Sequence, residues 1–225
     1  MTLRNCLAAF AVLGLVVAAV PAKAADVGLY IAPKLSLDIQ SLDDMKAKGS
    51  RGASEGLDSG YDGTLGLGAA LGFDLYPRYM VPARIEVEYM YMGDAEESGS
   101  TNHLFSNSGN FSYKQKNSVS SLFVNAYLDM HTGSMLTPYA GVGLGTAWVK
   151  SEGNLGTQGL GSNKETNLAW NVGLGVAFEL SYNASIDLGY RYASFGKAKT
   201  AVSNIGYLES NLGMHQFNLG LRYTF

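Results

Sequence analysis

Apolar and polar residues alternate along much of this chain, and the last nine residues show the pattern most clearly. From Phe217 to Phe225 every odd position is apolar, whereas every even position is polar or Gly. A period of two residues indicates a β-strand with one apolar face and one polar face. The C-terminal segment is therefore predicted to be a strand whose apolar side chains all point to one side.

The same alternation recurs in seven earlier segments of the chain. Together with the last one, the segments lie at residues 29–40, 65–75, 84–91, 122–129, 139–148, 168–180, 186–192 and 217–225. A tilted strand crosses a bilayer in about 9–11 residues, and an even number of such strands favours closure. We predict an all-β fold, an eight-stranded antiparallel up-and-down transmembrane β-barrel.

Short and long connections alternate between the predicted strands. Short ones at residues 77–82, 131–137 and 181–183 interleave with long ones near 41–62, 94–116, 151–166 and 197–212. Outer-membrane barrels place tight turns in the periplasm and long loops outside the cell. This pattern predicts that both termini are periplasmic and that the long connections are mobile, exposed loops.

Aromatic residues on the apolar faces fall into two groups, one near each end of the predicted strands. The outer group is Tyr91, Trp148, Trp170, Tyr190 and Tyr192, and the periplasmic group is Phe73, Phe178, Tyr223 and Phe225. Aromatic rings favour the two boundaries between lipid and water, so these residues are predicted to form two girdles. A soluble β-sandwich, the alternative fold, explains the alternation but not the two bands.

The N-terminal residues resemble an export signal. Arg4 precedes an apolar run from Leu7 to Val20, and Ala22-Lys23-Ala24 forms a small-x-small cleavage box. We therefore expect residues 1–24 to be a cleaved signal peptide and residues 25–225 to be the barrel domain. Cys6 is the only cysteine, so the mature chain is expected to contain no disulfide and no thiol.

Composition and charge exclude some classes of partner. The chain contains 28 Gly and 14 Tyr, only 16% of its residues are charged, and the mean hydropathy is +0.03. Loss of Arg4 and Lys23 with the signal would change the net charge from -3 to -5. A nucleic-acid partner is not expected, because phosphate binding requires a concentrated positive surface. No cofactor or metal site is predicted, since no His, Cys and carboxylate cluster has suitable spacing.

Three stretches resemble the small surface-antigen barrels related to opacity proteins and the OmpA/OmpX-type barrels. They are residues Ser121–Asp129, Thr137–Gly145 and Ile186–Tyr192. The resemblance implies a surface or envelope-structural protein in the outer membrane of a Gram-negative bacterium, surrounded by outer-membrane lipid and lipopolysaccharide. It further implies that the long loops serve adhesion or recognition, in contact with host or other cell-surface molecules.

The C-terminal strand also resembles the assembly signal of this family, which the barrel-assembly machinery reads. The matching positions are Phe217, Leu219, Leu221, Tyr223 and Phe225. The same five residues would form the lipid face of the last strand, and both interpretations can hold together.

Alternation also assigns a set of charged residues to the barrel lumen. By parity the inward charges are Lys34, Asp38, Asp74, Arg84, Glu86, Glu88, Asp129, Glu179, Asp187, Arg191 and Arg222. Buried charges must be paired or hydrated. We expect Asp74 to pair with Arg84 across the first short turn, and Arg222 to lie near Glu179 and Asp187. Inward glycines such as Gly66 and Gly141 are expected to make room for Tyr30, Phe123, Tyr127 and Phe195.

Two other functions remain open from the sequence: a lipid A-modifying enzyme and a narrow ion channel. Of the three histidines, His103 lies in a polar loop, and His131 precedes Ser134 in a short turn. His215, with Glu209 and Ser210 nearby, is the best candidate base. Acyl transfer requires a nucleophile, a base and an orienting group within hydrogen-bond reach, and no such spacing is present, so we expect no enzyme. Lys150, predicted to face lipid beyond Trp148, is a candidate partner for a lipid A phosphate.

Overall fold

The computed structural model describes residues 28–49, 54–56, 61–104, 107–155, 158–199 and 206–225, which lie almost entirely in one antiparallel sheet. The strands are β1 (Leu29–Gly49), β2 (Ser54–Gly56), β3 (Tyr61–Asp74), β4 (Ala83–Leu104), β5 (Asn107–Asp129), β6 (Leu136–Leu155), β7 (Gln158–Ser181), β8 (Ala184–Lys199) and β9 (Gly206–Thr224). The short helix α1 (Tyr76–Tyr79) joins β3 to β4. No helix in the described ranges is long and apolar enough to cross a membrane.

The sheet closes on itself as an eight-stranded up-and-down barrel. Sequential long strands pair as antiparallel neighbours, and β1 pairs with both β3 and β9. The three-residue strand β2 pairs only with the far end of β1, so it adds a short hairpin and no wall strand. The predicted fold class is confirmed.

Side chains alternate between the outer surface and the lumen as the two-residue period requires. Along β7, Val172 and Leu174 are 47% and 63% exposed, whereas Asn171 and Ala177 are buried. The outer surface is therefore apolar and the lumen holds the polar side chains. This arrangement is the reverse of a water-soluble protein and suits a barrel surrounded by lipid.

One end of the barrel, here called the short-turn end, carries α1, the turn at residues 130–135 and the turn at residues 182–183. Both ends of the described chain lie there as well, because the Phe225 N–H donates to the Leu29 carbonyl at 2.9 Å. The opposite end, here called the hairpin end, carries the remaining connections.

The predicted long loops are largely wrong, because the strands continue through them. β4 and β5 remain paired from Ala83↔Leu128 to Leu104↔Asn107, and β6 and β7 from Leu136↔Phe178 to Leu155↔Gln158. Strands of 20–24 residues extend about 70 Å, at least twice what a bilayer requires. The polar segment at residues 94–97 is strand, as are Lys46–Gly49 and Gly153–Leu155. Arg51 and Gly156 lie outside the described residues.

At the hairpin end the barrel wall separates into two sheets. The β7–β8 ladder ends at Trp170↔Ser194, and the β3–β4 ladder ends at Gly66↔Met92. Beyond these pairs β4, β5, β6 and β7 form one projecting four-stranded sheet, and β8, β9, β1 and β3 continue as another. The Asn167 side-chain amide donates to the carbonyls of Phe195 and Lys197 at 2.9 and 2.8 Å, which replaces the ladder where β8 turns away.

Candidate functional site

A network of polar side chains occupies the middle of the lumen, with Glu86 of β4 at its centre. The Glu86 carboxylate forms an ion pair with Lys34 of β1. It also accepts hydrogen bonds from the hydroxyls of Tyr30 and Tyr127, at 3.1 and 2.8 Å, and from the Asn125 amide at 3.2 Å. The strand pleat aims these side chains inward, so one carboxylate joins strands β1, β4 and β5.

The network continues across the lumen through Glu88. Lys34 Nζ lies 2.6 Å from Glu88 Oε2, and Arg191 Nη1 of β8 lies 2.6 Å from Glu88 Oε1. Arg191 Nε donates to Gln216 Oε1, and Gln216 Nε2 donates to Asp38 Oδ1, each at 2.6 Å. The chain of contacts therefore reaches from β4 to β8, β9 and back to β1.

A second group of ion pairs lies closer to the short-turn end, and it corrects one predicted pair. Asp74 faces Arg84 across the β3–β4 ladder, but the guanidinium instead binds Asp129 of β5 through Nε–Oδ2 at 2.7 Å and Nη2–Oδ1 at 3.0 Å. The nearest cation to Asp74 is Arg222 Nη1, at 4.0 Å. Arg222 does contact Asp187, at 3.3 Å, as the sequence predicts.

Glu179 does not join this group, contrary to the prediction. It is exposed at the rim of the short-turn end and accepts a hydrogen bond from Thr137 Oγ1 at 3.3 Å. Ser185, which pairs with Glu179 across the ladder, takes the contact instead, because Arg222 Nε donates to its hydroxyl at 3.0 Å. Glu179 is three residues from the turn at residues 182–183, so its carboxylate can reach water. Hydration of the charge there is more favourable than its burial in the lumen.

Glycines in the wall provide space for the larger lumen groups. A Cβ on Gly72 would lie 2.1 Å from the Tyr30 ring, and one on Gly141 would lie 2.3 Å from the Tyr127 ring. Gly66 instead accommodates the polar groups of Ser36 and Asp38. The expectation that inward glycines make room for inward aromatics thus holds at Gly141. The space for Tyr30 is provided by Gly72.

The lumen contains a small cavity within the network, and a layer of buried apolar side chains lies farther toward the hairpin end. The cavity measures about 40 Å³, room for about three water molecules, and is lined by Glu86, Glu88, Arg191 and other polar groups. The apolar layer is at most 1% exposed and consists of Met90, Met92, Val119, Val149, Phe195, Leu212 and Met214. Side chains therefore fill the described lumen instead of lining an open pore.

The predicted aromatic bands lie on the outer surface, with one exception. In the hairpin-end band Trp148, Trp170 and Tyr190 are 43%, 44% and 36% exposed, and Tyr91 and Tyr192 are half-buried on the same surface. In the short-turn band Phe178 and Tyr223 are exposed, and Phe73 is half-buried. Phe225 is buried, because it follows the last strand residue and its ring packs edge-on against Tyr223 at 5.3 Å.

The residues of the predicted assembly signal lie on the last strand, β9. Phe217, Leu219, Leu221 and Tyr223 are 39–49% exposed on the outer surface. Phe225 is only 9% exposed, and its ring packs against that of Tyr223. The role of these residues as an assembly signal stays a prediction.

The candidate catalytic groups are not brought together. His215 faces outward and its Nδ1 lies 2.7 Å from the Tyr190 hydroxyl, whereas Ser210 is buried on the opposite face of β9. Glu209 is six residues from His215 along the strand, a separation of about 20 Å. His131 stacks on Tyr76 at 3.7 Å at the short-turn end. The side chain of His103 lies outside the described residues.

Beyond the hairpin-end aromatic band the outer surface carries lysines and carboxylates on β4 to β7. Lys150 Nζ lies 2.5 Å from Glu152 Oε1, and Lys116 Nζ lies 2.9 Å from Asp94 Oδ2. The hydrogen bond to Glu152, together with the charge of that carboxylate, raises the pKa of the exposed Lys150 ammonium. Sequence reasoning identified Lys150 but missed Lys164, its Cα partner across the β6–β7 ladder.

Sequence reasoning also missed the uncharged members of the lumen network. Asn125, Asn171 and Gln216 are buried and connected, and the Asn171 amide donates to Asn125 Oδ1 at 3.0 Å. The two-residue period already assigns these positions to the inner face, so the signal was present. In the part of the chain that the structure describes, no group of three His, Cys, Asp or Glu side chains is placed to hold a metal ion.

Comparison with known proteins agrees with this architecture. The model of the outer membrane protein beta-barrel domain family matches residues 8–225. The chain is 28% identical over 176 residues to outer membrane protein PagN of Salmonella typhimurium. The aligned region covers 72% of this chain and 74% of PagN. It is also 30% identical over 126 residues to putative adhesin RC1281 of Rickettsia conorii, and this aligned region covers 50% of this chain and 51% of RC1281.

Among solved structures, Neisserial surface protein A (NspA) has a similar fold. The TM-score is 0.51 at 20% sequence identity, and the match covers 88% of this chain and 97% of NspA. At this identity the similarity supports the barrel fold and no more.

Proposed function

Because the chain belongs to the outer membrane protein beta-barrel domain family, we propose that it is an adhesin whose projecting strand hairpins bind molecules on a host or neighbouring cell. The observation that carries the proposal is the sheet formed by β4, β5, β6 and β7, which remains paired beyond the hairpin-end aromatic band. A relative named as a putative adhesin supports the same function.

Paired hairpins suit recognition better than single loops would. Backbone hydrogen bonds between neighbouring strands fix their relative positions, so less conformational entropy is lost when a partner binds. A rigid barrel that holds a variable outer surface is a common arrangement for binding proteins. Lipid, lipopolysaccharide and the barrel-assembly machinery are the further partners we expect, since the barrel must be inserted and then surrounded by lipid.

The adhesion proposal is tested with variants that shorten the hairpins but keep the strand register. One variant replaces residues 97–115 of the β4–β5 hairpin with Asn-Gly, and a second replaces residues 154–160 of the β6–β7 hairpin in the same way, since Asn-Gly favours a two-residue turn. Each variant is expressed on a non-adherent Gram-negative strain. We expect binding to cultured epithelial cells to fall at least tenfold at equal surface level.

A matched control substitutes Arg78→Gln in the exposed turn at the other end of the barrel. This variant should bind cells as the wild type does. If the shortened variants also retain full binding while remaining folded and exposed, adhesion through these hairpins is wrong.

We further propose that the hairpin end faces the outside of the cell and that both termini lie in the periplasm. The predicted absence of a mature thiol allows a direct test with introduced cysteines. Ser98→Cys lies in β4 beyond the aromatic band, and Tyr182→Cys lies in the two-residue turn, where the side chain is 95% exposed. A membrane-impermeant maleimide should label only Ser98→Cys on intact cells, and labelling only of Tyr182→Cys would reverse the orientation.

Catalysis and ion conduction are the less supported functions. His215 and Ser210 lie on opposite faces of β9, and the carboxylate candidate Glu209 is about 20 Å away along the strand. We propose that the protein is not an enzyme, and mass spectrometry of lipid A should show the same species with and without its expression. Loss of an acyl chain that depends on His215 would contradict this.

A further inference from the structure

We propose that Lys150 of β6 and Lys164 of β7 form a binding site for a phosphate group of lipid A. The two residues are Cα partners across the β6–β7 ladder, and both side chains lie on the outer surface. Residues that face each other in an antiparallel ladder have Cβ atoms about 4.5–5.5 Å apart. Two ammonium groups on flexible stems can therefore reach one phosphate between them.

The depth of the pair along the barrel fits a lipid headgroup. Trp148 precedes Lys150 by two residues on the same face of β6, and its ladder partner is Thr166 of β7. Two residues of strand span about 7 Å, so both lysines lie just beyond the aromatic band. Aromatic rings at a membrane boundary lie at headgroup level, and lysine stems reach outward from there with the charge in the polar layer.

The two lysines carry more positive charge than the neighbouring carboxylates neutralise. Like charges directly opposite each other in a sheet are destabilising unless another charge compensates them. Glu152 contacts Lys150 at 2.5 Å, but among the described residues Lys164 has no ion pair. The neighbouring Lys116 is occupied by Asp94 at 2.9 Å. A phosphate between Lys150 and Lys164 would remove this repulsion.

The geometry leaves donors free for such a ligand. An ammonium group has three N–H donors, and the contact with Glu152 uses one donor of Lys150. Lys164 is also accessible from the side, because the β7–β8 ladder ends at Trp170↔Ser194 and no described strand covers that flank of β7. A lipid headgroup can therefore approach from the bilayer along the open edge of the projecting sheet.

The inference rests on the proposed orientation, since lipid A lies in the outer leaflet, but its test does not depend on orientation or adhesion. The full-length protein is purified in detergent, and lipid binding is measured by native mass spectrometry. The probes are lipid A with both phosphates and the same lipid A after removal of its phosphates. The wild type should bind the phosphorylated form at least tenfold more tightly.

Two double variants separate charge from structure. Lys150→Gln with Lys164→Gln should lose the preference for phosphorylated lipid A, whereas Lys150→Arg with Lys164→Arg should keep the wild-type Kd within twofold. Arg78→Gln, which removes an exposed cation at the short-turn end, should also leave Kd within twofold. Heat-shift electrophoresis verifies that each variant is folded.

Two results would overturn the proposal. One is a wild type that binds both forms of lipid A equally, and the other is a glutamine double variant with an unchanged Kd for the phosphorylated form. Neither result would affect the adhesion proposal, because cell binding is measured separately with the hairpin variants.

Discussion

Arg84 of β4 and Asp129 of β5 form a buried two-point ion pair, with Nε–Oδ2 at 2.7 Å and Nη2–Oδ1 at 3.0 Å. The guanidinium carbon also lies 4.9 Å from the centre of the Tyr127 ring and 5.1 Å from that of Tyr139. Arg84 is thereby held between an anion and two aromatic faces, an arrangement that favours arginine over lysine. The pair ties β4 to β5 on the lumen side.

Removal of this carboxylate should strongly destabilise the barrel. We expect Asp129→Asn to lower the free energy of unfolding by about 3 kcal/mol, because a buried guanidinium loses its two-point carboxylate partner. The remaining anion, Asp187, contacts Arg84 only at 3.9 Å. The measurement is urea-induced unfolding in phospholipid vesicles, followed by the fluorescence of Trp148 and Trp170.

Asp74→Asn is the matched control for this prediction. Asp74 is the Cα partner of Arg84, but its closest cation is Arg222 at 4.0 Å and its carboxylate is partly exposed. Loss of the Asp74 charge should lower the free energy of unfolding by less than about 1 kcal/mol, as for other weak ion pairs near a surface. Equal losses in the two variants would show that Arg84 depends on Asp74 after all.

The difference between Asp74 and Asp129 shows what alternation can and cannot predict. A period of two assigns Asp74, Arg84 and Asp129 to the same face, because each step along a strand reverses the side-chain direction. It does not decide which neighbour a long side chain reaches. In a closed barrel Arg84 has a strand on each side, and its rotamer selects Asp129 of β5 over Asp74 of β3.

The two-residue period also cannot predict how far the strands extend beyond the bilayer. Inside the bilayer one face contacts lipid and the other faces the lumen, so the two-residue period in hydropathy is strong. Beyond the aromatic band the outer face no longer contacts lipid, and small polar residues such as Asn117, Ser151 and Ser210 also occupy the inner face, so the contrast between the two faces weakens. Segments such as residues 94–104 therefore resemble loops in sequence although they continue the β4 ladder.

Gly72 should be required for the position of Tyr30. A Cβ at residue 72 would lie 2.1 Å from Tyr30 Cζ, and the Tyr30 hydroxyl donates to Glu86 at 3.1 Å. We expect Gly72→Ala to destabilise the barrel by about 1–3 kcal/mol through overpacking, measured in the same unfolding assay. Gly63→Ala is the control, since a Cβ there meets no atom within 4 Å and stability should stay nearly unchanged. Equal stability of Gly72→Ala and the wild type would contradict this packing.

Gln40 offers a site for stabilisation. The residue is fully buried beside Met214, its Cα partner, and neither polar atom of its side chain has a hydrogen-bond partner among the described residues. Burial of an unpaired amide is unfavourable by about 1–3 kcal/mol. Gln40→Met keeps the shape and removes the polar group, so we expect the free energy of unfolding to rise by about 1 kcal/mol.

Gln216→Met provides the comparison for Gln40→Met. Gln216 is equally buried, but it accepts from Arg191 and donates to Asp38, each at 2.6 Å. Its replacement should therefore lower stability by about 2 kcal/mol, since two charged groups each lose a hydrogen bond. If both substitutions change stability in the same direction, the difference in hydrogen bonding does not control it.

The wild-type barrel should not conduct ions. The charged network and its cavity lie in the middle of the lumen, and the layer that includes Met90, Phe195 and Met214 separates them from the hairpin end. An ion would have to lose its hydration to cross this layer, and the free-energy cost of desolvating a charge is prohibitive. We expect planar bilayers that contain the protein to show no stepwise current, with a general porin measured in parallel as the positive control. Stepwise currents that scale with the amount of inserted protein would mean that the apolar layer opens, and the filled lumen would then be one state of a gated channel.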